Sequence, residues 1–218
     1  MNFPLYVFDA YGTLFDVHSA VARHRDLAGS HAERLSDIWR TKQLEYTWTR
    51  SLMGAYLDFD LVTRDALDFA SARCGGLTPE ARKTLLSAYE TLDAYADAAP
   101  ALVALRAGCA RAVILSNGTP TGMARAVRSA GLESLLDESL SVDALRIFKT
   151  APAAYGLVCE NYGLRPEQIS FQSSNRWDVA GAARFGFHTV WINRTGAPDE
   201  YLDLPPARTI TGLAQLGV

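Results

Sequence analysis

The sequence predicts an α/β fold in which a parallel-sheet core domain is interrupted by an inserted helical domain. From about residue 97 onward, short apolar runs alternate with helix-forming segments, which is typical of right-handed βαβ units. One apolar run near the N-terminus precedes a long segment, residues 15–97, that lacks convincing strands. We therefore expect residues 1–14 and 98–218 to form the core domain and residues 15–97 to form the helical insertion.

Composition narrows the class of protein. The chain has 218 residues, 49% of them hydrophobic, which is enough to bury a real core. The net charge is -3 with acids and bases interspersed, which argues against nucleic acid or an anionic membrane as a partner and favours a small molecule. The cysteines Cys74, Cys109 and Cys159 form no CxxC pair, so we expect reduced, mostly buried thiols rather than disulfides or a zinc site.

The expected location is the cytoplasm. The first predicted strand begins within a few residues of the N-terminus, which leaves no room for a signal peptide. No apolar run approaches the ~20 residues that a membrane span needs.

The first strand places an acid at its end. Four apolar residues, Leu5 to Phe8, read as a buried strand, and Asp9 and Gly12 follow them. Ligands of open parallel sheets bind at the carboxyl ends of the strands. Taken alone, this pattern favours ordinary turn capping by Asp9 over a role in a site.

The insertion contains a predicted long helix over residues 34–53. One face carries Leu35, Trp39, Tyr46 and Met53 at helical spacing. A neighbouring face carries Arg40, Leu44 and Trp48, so Arg40 is expected in apolar surroundings. A second helix is expected from about residue 61 to 73, and a third begins with Thr78 as its N-cap.

Strands and helices then alternate to the C-terminus. Strands are predicted over residues 112–115, 140–142, 169–171 and 189–192. Helices are predicted over residues 100–107, from Pro120 onward, and over 152–162 and 176–185. The tail from Tyr201 is expected to be loop with one short helix.

Three of these strands end in polar groups. They are Asp9, then Ser116 with Asn117, then Ser173 with Asn175. Parallel strands bring such ends to one edge of the sheet, and the helix N-termini that follow favour an anion there. The sequence therefore predicts a site for an anionic ligand.

Each group also has an ordinary structural explanation. Asp178 is well placed to cap a helix, Lys149 to be solvated, and Arg40 to form a surface ion pair. Trp177 and Tyr155 are typical packing residues. The histidines show no ligand spacing and receive no role.

Four segments together resemble the motifs of the haloacid dehalogenase superfamily, in order and in spacing. They are FDAYGTL at 8–14, LSNG at 115–118, FK at 148–149 and SSNRWD at 173–178. WRTKQLEYTW at 39–48 and WINRTG at 191–196 narrow the resemblance to the L-2-haloacid dehalogenase branch. The resemblance implies a Rossmann-like core domain with an inserted helical cap domain, and often a homodimer.

The resemblance implies hydrolysis of L-2-haloalkanoates to D-2-hydroxyalkanoates, with inversion, through an ester of Asp9, and without a metal or another cofactor. The superfamily's phosphatases carry a second Asp two residues after the nucleophile and magnesium-binding acids in the last motif. Tyr11 and the run Ser173 to Asn175 stand there in this chain. A phosphatase or phosphonatase, or a non-catalytic carboxylate-binding protein, remain the alternatives, and the preferred halogen stays open.

The same resemblance assigns roles around the reacting carbon. Asp9 is the nucleophile. Ser116 and the backbone N–H groups after Asp9, those of Ala10 and Tyr11, bind the substrate carboxylate. Arg40 and Asn117 receive the halide.

Further roles concern water and the walls of the pocket. Asp178 orients or deprotonates the water that attacks the Asp9 ester. Lys149 keeps Asp178 ionised and positioned, assisted by Ser173 and Asn175. Thr13 and Tyr155 support the nucleophile and the substrate carboxylate. The apolar wall consists of Tyr11, Leu44, Phe59 and Trp177. Thr150 stands where the family commonly has proline, so the backbone after Lys149 is expected to be less restricted.

Overall fold

A parallel sheet forms the centre of the molecule. The computed structural model describes residues 3–217. Its strands are β1 (Leu5–Phe8), β2 (Arg111–Ser116), β3 (Glu138–Ser141), β4 (Ile169–Ser173), β5 (His188–Ile192) and β6 (Arg208–Ile210). All neighbours pair in parallel, in the order β3-β2-β1-β4-β5-β6. The predicted α/β fold is confirmed.

Strand β1 lies where the strand order changes direction. It pairs with β2 on one side and β4 on the other, and Phe8 is in register with Ile114 and Gln172. All four of its residues are buried, as expected for a central strand covered on both faces. A crevice opens at such a switch point, outside the strand ends, and this is where Asp9 lies.

Nine helices flank the strands or lie between β1 and β2 within residues 3–217. The insertion contains α1 (Ser19–Ala22), α2 (Arg25–Ala28), α3 (Ala32–Met53), α4 (Phe59–Arg73) and α5 (Pro79–Tyr89). The crossover helices are α6 (Ala98–Ala107), α7 (Pro120–Ser129), α8 (Pro152–Tyr162) and α9 (Arg176–Phe185). Each predicted helix is present, and Thr78 caps α5 by accepting a hydrogen bond from the Ala81 N–H at 3.1 Å.

The two connections between the insertion and the sheet run side by side. Phe15 forms an antiparallel bridge with Ala94, and the Tyr95 N–H donates to the Leu14 carbonyl at 2.9 Å. The chain thus leaves and re-enters the sheet region at one place. These contacts agree with the predicted boundaries, but the division into two domains stays a prediction.

The buried face of α3 differs from the predicted one. It consists of Ala32, Leu35, Ser36, Trp39, Gln43 and Thr47. Met53 is 67% exposed and Tyr46 is half-buried, so this part of the prediction was wrong. Hydropathy missed Gln43 and Thr47 because each is polar, yet each is buried with hydrogen-bond partners.

Two further expectations were wrong. The tail contains β6 as well as a short 3-10 helix, Leu213–Gln215; a three-residue edge strand with one buried side chain leaves little alternation in the sequence. The cysteine thiols are free but not buried, since Cys109 is exposed and Cys74 and Cys159 are half-buried. Among the helices of residues 3–217, none has the length and apolarity to cross a membrane.

Candidate active site

Asp9 lies at the carboxyl end of β1 with its carboxylate almost fully buried. Its N–H donates to the Gln172 carbonyl at 2.9 Å, which continues the sheet pairing by one residue. Its Oδ2 atom accepts hydrogen bonds from the Thr13 hydroxyl at 2.9 Å, the Asn175 amide at 2.7 Å and the Ser173 hydroxyl at 3.3 Å. Its Oδ1 atom accepts one, from the Lys149 ammonium at 3.1 Å. Oδ2 is therefore saturated, whereas Oδ1 keeps a lone pair for chemistry.

A tight turn after Asp9 returns Thr13 to the carboxylate. Gly12 has φ +93°, a conformation that L side chains rarely adopt. Thr13 Oγ1 also accepts from the Ser174 N–H at 2.8 Å, so the hydroxyl ties the β1 turn to the end of β4. The backbone N–H groups of Ala10 and Tyr11 donate to no acceptor within residues 3–217.

Lys149 lies between two carboxylates. Its Nζ is 3.1 Å from Asp9 Oδ1 and 2.9 Å from Asp178 Oδ2, and only 1% of the side chain is exposed. Burial lowers the pKa of the Lys149 ammonium, but the charges of Asp178 and Asp9 outweigh this effect and the net pKa is raised. The ammonium is therefore held in its protonated form. The peptide bond that follows, Lys149–Thr150, is cis.

Asp178 is fully buried in the first turn of α9. Its Oδ1 accepts from the Tyr155 hydroxyl at 2.7 Å, so Tyr155 lies against Asp178 rather than against Asp9. Burial raises the pKa of Asp178 to about 6, the charge of Asp9 adds to the rise, and Lys149 opposes it. Burial, together with the charge of Asp178, raises the pKa of Tyr155, so its phenol remains a hydrogen-bond donor.

Helix α3 brings Arg40 to the sheet edge. Its Nη2 donates to the Tyr11 carbonyl at 3.0 Å and to the Asn175 side-chain oxygen at 3.3 Å. Its Nη1 donates to Gln43 Oε1 at 2.8 Å. The insertion therefore contributes a cation to a site whose other charged groups come from the sheet region.

Ser116 and Asn117 lie at the end of β2, both buried. The Ser116 hydroxyl accepts from the Gly118 N–H at 3.0 Å, and the Asn117 side-chain oxygen accepts from the Lys149 N–H at 2.9 Å. Within residues 3–217, neither the Ser116 hydroxyl hydrogen nor the Asn117 Nδ2 donates to an acceptor. Both groups can therefore donate to an anion.

Aromatic rings form the apolar side of the candidate site. The Tyr11 ring lies 5.2 Å from Phe59 and stacks on Tyr89 at 5.8 Å. A Cβ atom on Gly118 would approach the Tyr11 ring to 2.8 Å, so only glycine fits there. Of the other two predicted wall residues, Leu44 is half-buried on α3, and Trp177 on α9 packs edge-on against Trp48 at 5.4 Å.

The Trp48–Trp177 pair borders a separate cleft. This cleft, about 630 Å³ in volume, lies between α3, α9 and the C-terminal tail. Thr150, Arg184 and Tyr201 also line it. Trp177 therefore lines this cleft, while Tyr11 and Phe59 pack together.

The protein is similar to known proteins over nearly its whole length. The sequence profile of the family described as haloacid dehalogenase-like hydrolase matches residues 3–186. The chain belongs to this family. It is 46% identical over 211 residues to (S)-2-haloacid dehalogenase 1 of Pseudomonas sp. (strain CBS-3), covering 96% of this chain and 93% of the relative. It is 47% identical over 214 residues to (S)-2-haloacid dehalogenase 4A of Burkholderia cepacia, covering 96% and 91%.

Solved structures give the same result. The L-2-haloacid dehalogenase of Xanthobacter autotrophicus with chloropropionic acid covalently bound has a TM-score of 0.90 and 36% identity, covering 99% of this chain and 97% of that one. A dehalogenase in an intermediate complex has a TM-score of 0.95 and 44% identity, covering 98% and 95%. The resemblance to the L-2-haloacid dehalogenase branch is confirmed.

The charges of this haloacid dehalogenase-like site do not fit a magnesium ion. Mg²⁺ needs near-octahedral oxygen ligands, several of them waters. The position between the Asp9 and Asp178 carboxylates is filled by the Lys149 ammonium. A divalent cation there would face a fixed positive charge at contact distance.

Sequence reasoning missed three polar residues behind Arg40. Gln43, Thr63 and Tyr89 are all buried, and Gln43 is hydrogen-bonded to each of the other two. One signal was available, since Gln43 lies three residues after Arg40 and therefore close to it on the helix surface. Thr63 and Tyr89 come from other helices, and no local pattern points to them.

Proposed function

We propose that this protein hydrolyses L-2-haloalkanoates to D-2-hydroxyalkanoates and halide through an ester of Asp9, with inversion at C2. The observation that carries the proposal is the unequal bonding of the two Asp9 oxygens. Oδ2 accepts three hydrogen bonds and Oδ1 accepts one, from Lys149. Oδ1 is thus the nucleophilic atom and Oδ2 the carbonyl oxygen of the ester.

Binding must first overcome the repulsion between two carboxylates. Ser116 has a donor for the substrate carboxylate, as do the backbone N–H groups of Ala10 and Tyr11. The N-terminus of α7, capped by Thr119, adds the positive end of a helix dipole beside Asn117. These groups offset the charge of Asp9 and orient C2 toward Oδ1.

In the first step Asp9 Oδ1 attacks C2 from the side opposite the halogen. The new C–O bond forms as the C–X bond breaks, and its electron pair leaves as halide. Arg40, with Asn117, stabilises this developing charge. No proton is needed by the leaving group, so Tyr11 in the place of a phosphatase acid is consistent with the reaction.

In the second step water attacks the Asp9 carboxyl carbon. Negative charge develops on Oδ2, where Thr13, Ser173 and Asn175 already donate, so these three groups act as an oxyanion hole. Asp178 accepts a proton from the water, while hydrogen bonds from Lys149 and Tyr155 hold the Asp178 carboxylate in place. The Cγ–Oδ1 bond then breaks while Asp178 returns the proton to the departing alkoxide oxygen, so the product keeps the original aspartate oxygen as its hydroxyl. The Asp9 carboxyl then loses a proton to solvent and is again a carboxylate.

The relatives support this assignment through the activity that their names state and through the covalently bound chloropropionic acid of the Xanthobacter autotrophicus structure. The phosphatase alternative is disfavoured by Tyr11 and by the ammonium between the two carboxylates. The binding-protein alternative gives no reason for a fully buried Lys149–Asp178 pair beside Asp9.

The decisive assay measures halide release from L- and D-2-chloropropionate in the presence of EDTA. We expect release from the L form alone and none from the Asp9→Asn variant. No halide from the L form would overturn the assignment. Magnesium-dependent phosphate release from a generic ester would indicate a phosphatase. Binding of the substrate by the wild type without turnover, unchanged in Asp9→Asn, would indicate a binding protein.

Oxygen labelling tests the ester. In a single turnover in oxygen-18 water, the label should enter Asp9, and the new hydroxyl oxygen of the product should be unlabelled. Label in the product after one turnover would mean that water attacks C2 directly.

We further propose that residues 15–97 act as a cap domain and that the protein works as a homodimer in the cytoplasm. Free thiols support a reducing compartment. Leu52 and Met53, 88% and 67% exposed at the end of α3, offer apolar surface for a second copy. Sedimentation of the wild type and of Leu52→Lys tests this proposal. We expect the wild type to sediment as a dimer and the variant as a monomer.

A further inference from the structure

Gln43 lies at the centre of a buried polar cluster behind Arg40. Its Oε1 accepts from Arg40 Nη1 at 2.8 Å and from the Tyr89 hydroxyl at 3.0 Å, and its Nε2 donates to Thr63 Oγ1 at 2.6 Å. None of the Gln43 side chain is exposed. Turning the amide over would place its NH₂ against two donors, so these contacts fix its orientation.

The cluster is anchored on three helices. The Thr63 hydroxyl donates a hydrogen bond to the Phe59 carbonyl within α4 at 2.7 Å, and the Trp39 indole N–H donates to the Thr63 carbonyl at 2.8 Å. Tyr89 reaches Gln43 from the end of α5. Gln43 cannot rotate without breaking contacts between α3, α4 and α5.

The guanidinium of Arg40 is therefore clamped at both ends. Gln43 holds Nη1, while the Tyr11 carbonyl and Asn175 hold Nη2. All three acceptors are neutral oxygens, so the arginine is oriented without losing its charge to a carboxylate. A cation held in this way remains available to an anion.

We propose that Gln43, with Tyr89 as its partner, is a positioning residue that sets the Arg40 guanidinium for the departing halide. This inference rests on the proposed function. A purely structural role would need only satisfied hydrogen bonds, as Thr47 shows one turn later on the same buried face. Thr47 is equally buried, and its hydroxyl donates to its own helix at the Leu44 carbonyl, 2.7 Å away.

The test compares leaving groups. Gln43→Met keeps side-chain length but removes all three hydrogen bonds of the amide, Tyr89→Phe removes a single donor, and Thr47→Val is the matched control. Chloride is a poorer leaving group than bromide, so its departure depends more on Arg40. In Gln43→Met we expect the bromo-to-chloro ratio of kcat/KM for L-2-halopropionates to rise about tenfold, the effect of one charge-assisted hydrogen bond.

Tyr89→Phe should also raise the bromo-to-chloro ratio, but by less than Gln43→Met. Thr47→Val should leave the ratio unchanged even if the melting temperature of this variant falls. A Gln43→Met ratio equal to that of Thr47→Val would overturn the inference. If Gln43→Met does not fold, an unchanged ratio in Tyr89→Phe overturns it instead. Gln43→Glu should weaken bromide inhibition while preserving the fold, because it adds a negative charge beside the guanidinium.

Bromide binding separates this inference from the proposed function. We would titrate each protein with bromide alone and follow tryptophan fluorescence. Weaker binding in Gln43→Met than in Thr47→Val supports the inference, and equal binding contradicts it. If the wild type releases no halide from any 2-haloacid, the proposed function fails, and this titration still decides whether Gln43 sets Arg40 for halide.

Discussion

Thr13→Val probes the assignment of Asp9 Oδ2 as the ester carbonyl. The two side chains are nearly isosteric, but valine lacks the hydroxyl that donates to Oδ2 at 2.9 Å and accepts from the Ser174 N–H at 2.8 Å. The hydroxyl stabilises the carboxylate before reaction and the oxyanion during ester hydrolysis. Its loss should therefore slow the second step much more than the first.

The structure sets the size of the effect. Thr13 is one of three donors to Oδ2, and the other two, at 2.7 Å and 3.3 Å, remain in the variant. Loss of one oxyanion donor costs about 2.7 kcal/mol, or roughly 100-fold in rate. The N–H of the half-buried Ser174 also loses its acceptor, which should lower stability by about 1 kcal/mol.

The assay is a rapid mix of enzyme with L-2-chloropropionate. Intact-protein mass spectrometry should show the Asp9 ester accumulating in Thr13→Val, with a burst of halide before slow turnover. Thr13→Ser keeps the hydroxyl and should behave like the wild type. If chloride release slows about 100-fold and no ester accumulates, Oδ2 is not the carbonyl oxygen.

Two further predictions concern Asp178 and Lys149. Ester hydrolysis should slow as the pH falls, with a midpoint no higher than about 6, because burial raises the pKa of Asp178 to about 6 and only the ionised carboxylate can take a proton. The fold should persist through this range by circular dichroism, since a raised pKa means that the folded state binds this proton more tightly than the unfolded chain does. Lys149→Met should destabilise the protein by about 3–5 kcal/mol in urea, because it leaves two buried carboxylates without their cation.

Each has a control. Unfolding at the pH where the rate falls would mean that the profile reports stability rather than Asp178. Adding Asp178→Asn to Lys149→Met should restore part of the lost stability. Equal stability of the single and double variants would show that charge imbalance is not the cause.

The strand ends were predictable because their signals are local. An apolar run, then Asp9, then Gly12 specifies a buried strand, a carboxylate and a turn within eight residues, and β2 and β4 likewise end in short polar side chains. Parallel topology then brings those ends to one edge, as β1, β2 and β4 show. The α/β fold and the contact of Ser173 with Asp9 follow from such signals, whereas the roles of Lys149 and Asp178 were expected from the family resemblance.

What the sequence did not show depends on contacts between distant elements. Gln43 reads as a polar interruption of α3 until Tyr89 and Thr63, from α5 and α4, are seen to meet it. Hydropathy for the same reason placed Met53 on the buried face, although this last residue of α3 is 67% exposed. Likewise, no local pattern indicates that Tyr155 pairs with Asp178.

Because Asp9 and Asp178 share the Lys149 ammonium, the pKa of Asp178 depends on the stage of the reaction. While Asp9 is an anion, it competes with Asp178 for Lys149 and helps to raise the pKa of Asp178. Alkylation neutralises Asp9, which removes this competition and leaves Lys149 to Asp178 alone. The pKa of Asp178 should therefore fall once the ester forms, so the base becomes fully ionised at the stage that needs it, without any movement of the chain.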